Sequence, residues 1–187
     1  MDAVFRLGEI VGGAAQRHNA LLRFCAEKIG VAPGRLTLAR DAFYAPLLLL
    51  DGAETAWRIS SASRDSIVLF GLAREKIGVD VELLSTAEPA WNVLHDEEKA
   101  ALRALPCACQ SRQFLRLWTA KEAYLKALGL GLRREPGEIR ICPDAGSFRL
   151  FDREREVALH EARLWREKIG LREVICAAAI ATSDAKG

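Results

Sequence analysis

Two acids stand two positions apart in the apolar run Ile77-Gly78-Val79-Asp80-Val81-Glu82-Leu83-Leu84. On a strand, residues at that spacing share a face, about 7 Å apart along the backbone. Adjacent carboxylates repel, so water, a cation or a partner base must offset them. A second group lies in Trp118-Thr-Ala-Lys-Glu-Ala-Tyr-Leu-Lys126. There Glu122 and Lys126 are one helical turn apart, Trp118 is one turn before Glu122, and Lys121 sits on another flank. Each group has a plain reading: acids on the solvated face of a buried strand, a surface ion pair, a core tryptophan. Taken together, three carboxylates make an oxygen-rich site suited to Mg²⁺, with Mn²⁺ as the alternative ion. Lys126 adds a compact positive charge for a phosphate oxygen. Metal plus lysine neutralises a pyrophosphate leaving group, and a carboxylate beside the metal takes a proton from an attacking hydroxyl.

These residues need elements to hold them. Leu21, Leu22, Cys25, Ala26 and Ile29 recur at helical spacing over 14–29, closed by Gly30. Residues 35–39, 45–50, 56–60 and 66–72 read as strands bounded by turn residues, and 77–84 as another. Residues 95–105 form an amphipathic helix with acids in its first turn. Residues 112–128 form a helix with Ser111 as N-cap and Gly129 as the residue past its end. Residues 138–141, 147–151, 157–165 and 173–181 read as strands. Glu-Lys-Ile-Gly occurs at 27–30, 75–78 and 167–170. It marks either two similarly built halves meeting near Gly78 or a coincidence of turn formers. The fold class is α+β.

The chain has 187 residues, half of them apolar and 28% charged, enough for a real core. A net charge of +2 is too small to argue for nucleic acid. Ala45-Pro-Leu-Leu-Leu-Leu50 is strand-sized, far below a membrane span. The first ten residues lack a signal-peptide pattern, so a cytoplasmic location is expected, with no membrane partner. Five cysteines, an odd number, are expected to be free thiols in a reducing compartment. Cys107 and Cys109 have no partner pair at metal-ligand spacing. His18, His95 and His160 are scattered and receive no chemistry.

The run 77–82, followed after 35 residues by 118–126, resembles the two-part signature of the 4′-phosphopantetheinyl transferases. The wider stretch 115–132 resembles their surfactin-activator (Sfp) type. The resemblance covers about residues 77–132. It implies transfer of the 4′-phosphopantetheine of coenzyme A to a serine of an apo acyl or peptidyl carrier protein, releasing adenosine 3′,5′-bisphosphate. It further implies a monomer built as a pseudodimer of two similar α+β halves, with the active site in the cleft between them. Residues 1–77 are then the half on the CoA nucleotide side and 78–187 the half carrying the metal site. By the same resemblance Asp80, Glu82 and Glu122 are the Mg²⁺ ligands and Glu122 is the base. Lys126 holds the CoA phosphates, with Lys121, Ser60, Ser61 and Arg64 on the CoA side, and Trp118 shapes the site by packing.

The first half departs from the family. Its Gly-Lys-Pro falls at Tyr44-Ala45-Pro46, and its Ser-His-Ser at Ser60-Ser61-Ala62, so the histidine is lost. Arg58, Arg64 and Arg40 are the expected replacements. Arg103, Arg112 and Arg116 lie on or near the helices flanking the motif, and are either a surface for an acidic carrier protein or ordinary solubilising charge. Two other functions compete: a weak or inactive member that binds CoA or a carrier without turnover, and a Mg²⁺-dependent phosphoesterase.

Overall fold

The computed structural model describes residues 3–41, 45–86, 88–129 and 133–182. Alternation of side chains explains its layering. In β5 (Ile67–Ala73), Val68, Phe70 and Leu72 pack with Leu21, Phe24 and Cys25 of helix α1 (Ala14–Ile29). Ile67, Leu69 and Ala73 face the opposite way, into a second core with Val174, Cys176, Ala178 and Ile180 of β11 (Arg172–Ala181). In β11 the intervening Ile175, Ala177, Ala179 and Ala181 enter a third core under α3 (Cys107–Leu128). The order is therefore helix, sheet, sheet, helix.

The first sheet has the order β1-β5-β4-β3-β2, all neighbours antiparallel. It contains β1 (Val4–Glu9), β2 (Leu36–Arg40), β3 (Pro46–Leu50) and β4 (Ala53–Arg64) with β5. The second has the order β10-β11-β6, with β6 at Lys76–Leu83 and β10 at Leu159–Ile169. A small third sheet joins β7 (Ile139–Pro143), β8 (Phe148–Asp152) and β9 (Arg155–Glu156). Each half winds alike: a strand, helix, then further strands, the last returning to pair with the first. In the first half β5 returns to β1, and in the second β11 returns to β6. The division at 77/78 falls inside β6.

The expected helices, among them α2 at Asp96–Arg103, and the expected strands are present, with three differences. The long helix begins at Cys107, after Pro106, and Ser111 lies in its second turn. Pro106 cannot lie inside a helix but suits the position just before one, and Gly129 ends the helix at φ 72° as expected. Strands β1 and β9 fall outside the expected strands, because the pairing of β1 with β5 is non-local and β9 is only two residues long. The Glu-Lys-Ile-Gly copies occupy unlike places: the end of α1, the start of β6, and the end of β10. They are the coincidence, and the repeat lies in the winding instead.

Candidate active site

In β6, Ile77, Val79 and Val81 point into the core shared with the first sheet. Gly78, Asp80 and Glu82 therefore face α3. A Cβ on Gly78 would lie 1.8 Å from the Ala123 carbonyl oxygen and 2.4 Å from the Ala127 nitrogen. The helix backbone thus rests on the strand where a side chain is missing, and Glu122 and Lys126, beside those two alanines, arrive over Asp80.

The Lys126 ammonium donates to Asp80 Oδ1 at 2.6 Å and to the Val79 carbonyl at 3.3 Å. The Arg64 guanidinium, at the end of β4, grips Glu82 with two bonds, Nε to Oε2 at 2.6 Å and Nη2 to Oε1 at 2.5 Å. Asp80 is 2% exposed and Glu82 8%, so these acids do not line a solvated face. Nor do Glu122 and Lys126 form the plain surface pair, since Lys126 reaches Asp80. Asp80 Oδ2 and Glu122 Oε1 are buried without a hydrogen-bond partner. Burial pushes the Asp80 carboxyl up to about 6, with Glu82 and Glu122 adding to the rise and Lys126 opposing it. Burial also raises Glu122, aided by Glu82 and opposed by Lys126 and Arg64.

A cavity of about 660 Å³ opens beside this cluster, between the first sheet, α1 and the end of α3. Lys126, Ser60 and Ser61 line it, and of the three arginines proposed to replace the lost histidine, Arg40 does. Arg64 holds Glu82 instead, and Arg58 pairs with Glu54 at 2.8 Å. Tyr44 lies outside the described residues, while Ala45 and Pro46 reach the wall. Ser60 also ties the halves together: its hydroxyl accepts the Val79 N–H at 3.0 Å. Arg17 and His18 of α1 also line the cavity. Nothing in their local sequence marks them.

Lys121 belongs to another place. It is fully buried and donates to Glu98 at 2.6 Å and to the carbonyls of Val93 and Pro136 at 2.9 and 3.0 Å. All three of its donors are used, so it supports the fold rather than contacting CoA. Trp118 is half-buried and packs on the core under α3.

The donor set suits a divalent ion in part. Asp80 and Glu122 fit: each offers an unpartnered buried oxygen, the hard donor such ions prefer. Glu82 is otherwise engaged. Among the described residues no three His, Cys, Asp or Glu side chains stand together closely enough to hold one ion.

The family model described as the 4′-phosphopantetheinyl transferase superfamily matches residues 76–179, more than half the chain. The chain belongs to that superfamily. It is 31% identical over 121 residues to the 4′-phosphopantetheinyl transferase HetI of Nostoc sp., covering 62% of this chain and 51% of HetI. Over 70 residues it is 31% identical to the 4′-phosphopantetheinyl transferase gsp of Aneurinibacillus migulanus, covering 36% of this chain and 30% of gsp. The chain thus spans about half or less of the curated relatives it matches. The crystal structure of Thermotoga maritima holo-[acyl-carrier-protein] synthase superposes with TM-score 0.42 and 18% identity, over 57% of this chain and 64% of that one. Among the described residues no helix is long and apolar enough to cross a membrane.

Proposed function

We propose that this chain transfers 4′-phosphopantetheine from CoA to a serine of an apo acyl or peptidyl carrier protein, with Mg²⁺ or Mn²⁺ as cofactor. The observation that carries this reading is the pair of buried, unpartnered oxygens on Asp80 and Glu122, beside Lys126 at the wall of the cavity. Asp80 and Glu122 would hold the ion, with Glu82 as a third ligand. When bound, the ion supplies positive charge to the pyrophosphate oxygens.

The chain's own groups supply the rest. CoA lies in the cavity, where Lys126 faces its pyrophosphate and Arg17, His18, Arg40 and Ser61 face the nucleotide. Glu122, raised by burial, takes the proton of the carrier's serine hydroxyl. The serine Oγ–P bond forms, and the bond from that phosphorus to the bridging oxygen breaks. Adenosine 3′,5′-bisphosphate leaves with that oxygen, its charge met by Lys126.

One observation favours a second reading, binding of CoA or a carrier without transfer: Glu82 is occupied by Arg64. Intact mass spectrometry separates the two. Apo acyl and peptidyl carrier proteins are incubated with this protein, CoA and Mg²⁺, with Glu122→Ala as control. A gain of one phosphopantetheine, absent in the control, is expected. No gain on any carrier, with CoA still bound by calorimetry, selects the second reading.

A further inference from the structure

The hold on Glu82 has a consequence for the ion. The Glu82 side chain is 10% exposed and the Arg64 side chain 47%. The pair has the fork-to-carboxylate geometry that makes arginine pairs strong. The Arg64 guanidinium also senses the charges of Asp80 and Glu122. Lys126 neutralises one acid and Arg64 another, so the protein's own cluster of three carboxylates and two cations is one positive charge short of balance. Arg64 therefore occupies, from the opposite half of the molecule, a place a cation would take.

We propose that Arg64 is a built-in competitor of the divalent ion, holding Glu82 until the ion displaces it, and so sets the ion affinity of the site. A divalent ion needs a Glu82 oxygen to gain a third carboxylate, and both are in use. Loading the site then requires Glu82 to give up at least one Arg64 bond. The inference rests on the transferase reading only in placing the ion at Asp80 and Glu122. Its cost to affinity is modest because Arg64 is half in water.

The test titrates Mn²⁺ into the metal-stripped full chain without CoA or carrier, read by calorimetry. Arg64→Ala is expected to bind Mn²⁺ about five-fold more tightly than the unaltered chain. Arg64→Lys, which keeps the charge but loses the fork, should fall between them, and it serves alone if Arg64→Ala fails to fold. In a Glu82→Gln background, Arg64→Ala should change little. Equal tightening there would mean that removing any nearby positive charge is enough, which overturns the competition. Unchanged or weaker binding in both Arg64 variants overturns it too, and makes Arg64 a residue that merely orients Glu82. That result leaves the transferase reading standing, whereas no Mn²⁺ binding by any form removes both the inference and the metal part of that reading.

Discussion

Lys121 and Lys126 lie on one helix five positions apart and do different work. Lys121 is sealed in, with Glu98 and two carbonyls as partners. Lys121→Met leaves the Glu98 charge buried with its Lys121 partner gone, at a cost of about 3–5 kcal/mol. For a chain of this size we expect the melting temperature to fall by about 10 °C. Lys126 is part exposed and faces the cavity. Burial pushes the carboxyl of its partner Asp80 up to about 6, so Lys126→Met is relieved when Asp80 takes up a proton. That variant should melt within a few degrees of the unaltered chain yet bind CoA about ten-fold or more weakly, read by calorimetry. A larger melting shift for Lys126→Met than for Lys121→Met would reverse the two roles. The cysteines divide likewise. Burial pushes the Cys25 and Cys176 thiols up to about 12, whereas Cys107 and Cys109 are exposed. Brief iodoacetamide treatment of the native chain at pH 8 should label the exposed pair and spare the buried one, read by peptide mass. Asp80, Glu82, Glu122 and Lys126 are legible as a group because spacings of two on a strand and four on a helix are local codes. Glu98, Arg17 and His18 are not, because the packing of distant elements decides what they meet.

At the element scale, the site depends on how closely α3 approaches β6, and Gly78 sets that distance. A methyl group there meets helix backbone at 1.8 Å, and backbone cannot rotate aside. Gly78→Ala should cost at least the 1–3 kcal/mol typical of overpacking and move Glu122 and Lys126 off Asp80. Gly71, on β5, is a useful contrast. Its added Cβ would meet the Val79 and Ile77 side chains at 2.7 and 2.9 Å, which can shift. Urea unfolding of the two variants should give the lower midpoint for Gly78→Ala. An equal or higher midpoint would mean that α3 moves away without loss. The sequence reading places the strand and the helix correctly, because the apolar period changes between them. It starts α3 late, because Cys107 to Ser111 carry no strong apolar stripe and Pro106 is the better marker.

At the scale of the molecule, the two halves have similar windings but do not have separate interiors. Ile67 and Leu69 of the first half close the same core as Val79, Val81 and Cys176 of the second. Those five side chains are all fully buried. Residues 76–187 alone would expose that apolar sheet face to water, which invites aggregation. The sequence suggests two halves without showing this, since each strand's pattern records that a face is buried and not what covers it. The site crosses the same junction, with Arg64 and Ser60 on one side and Asp80, Glu82, Glu122 and Lys126 on the other. The chain should therefore unfold as one cooperative unit. Trp57 reports on the core under α1 and Trp118 on the core under α3. In variants that keep Trp57 or Trp118 as the sole one of the chain's four tryptophans, urea unfolding should give the same midpoint for both. Mg²⁺ with CoA should raise the two midpoints together, because ligand bound across the junction stabilises only the joined state. Separate midpoints, or a ligand shift in one reporter alone, would mean that the halves hold independently and that the site is assembled by docking rather than by folding.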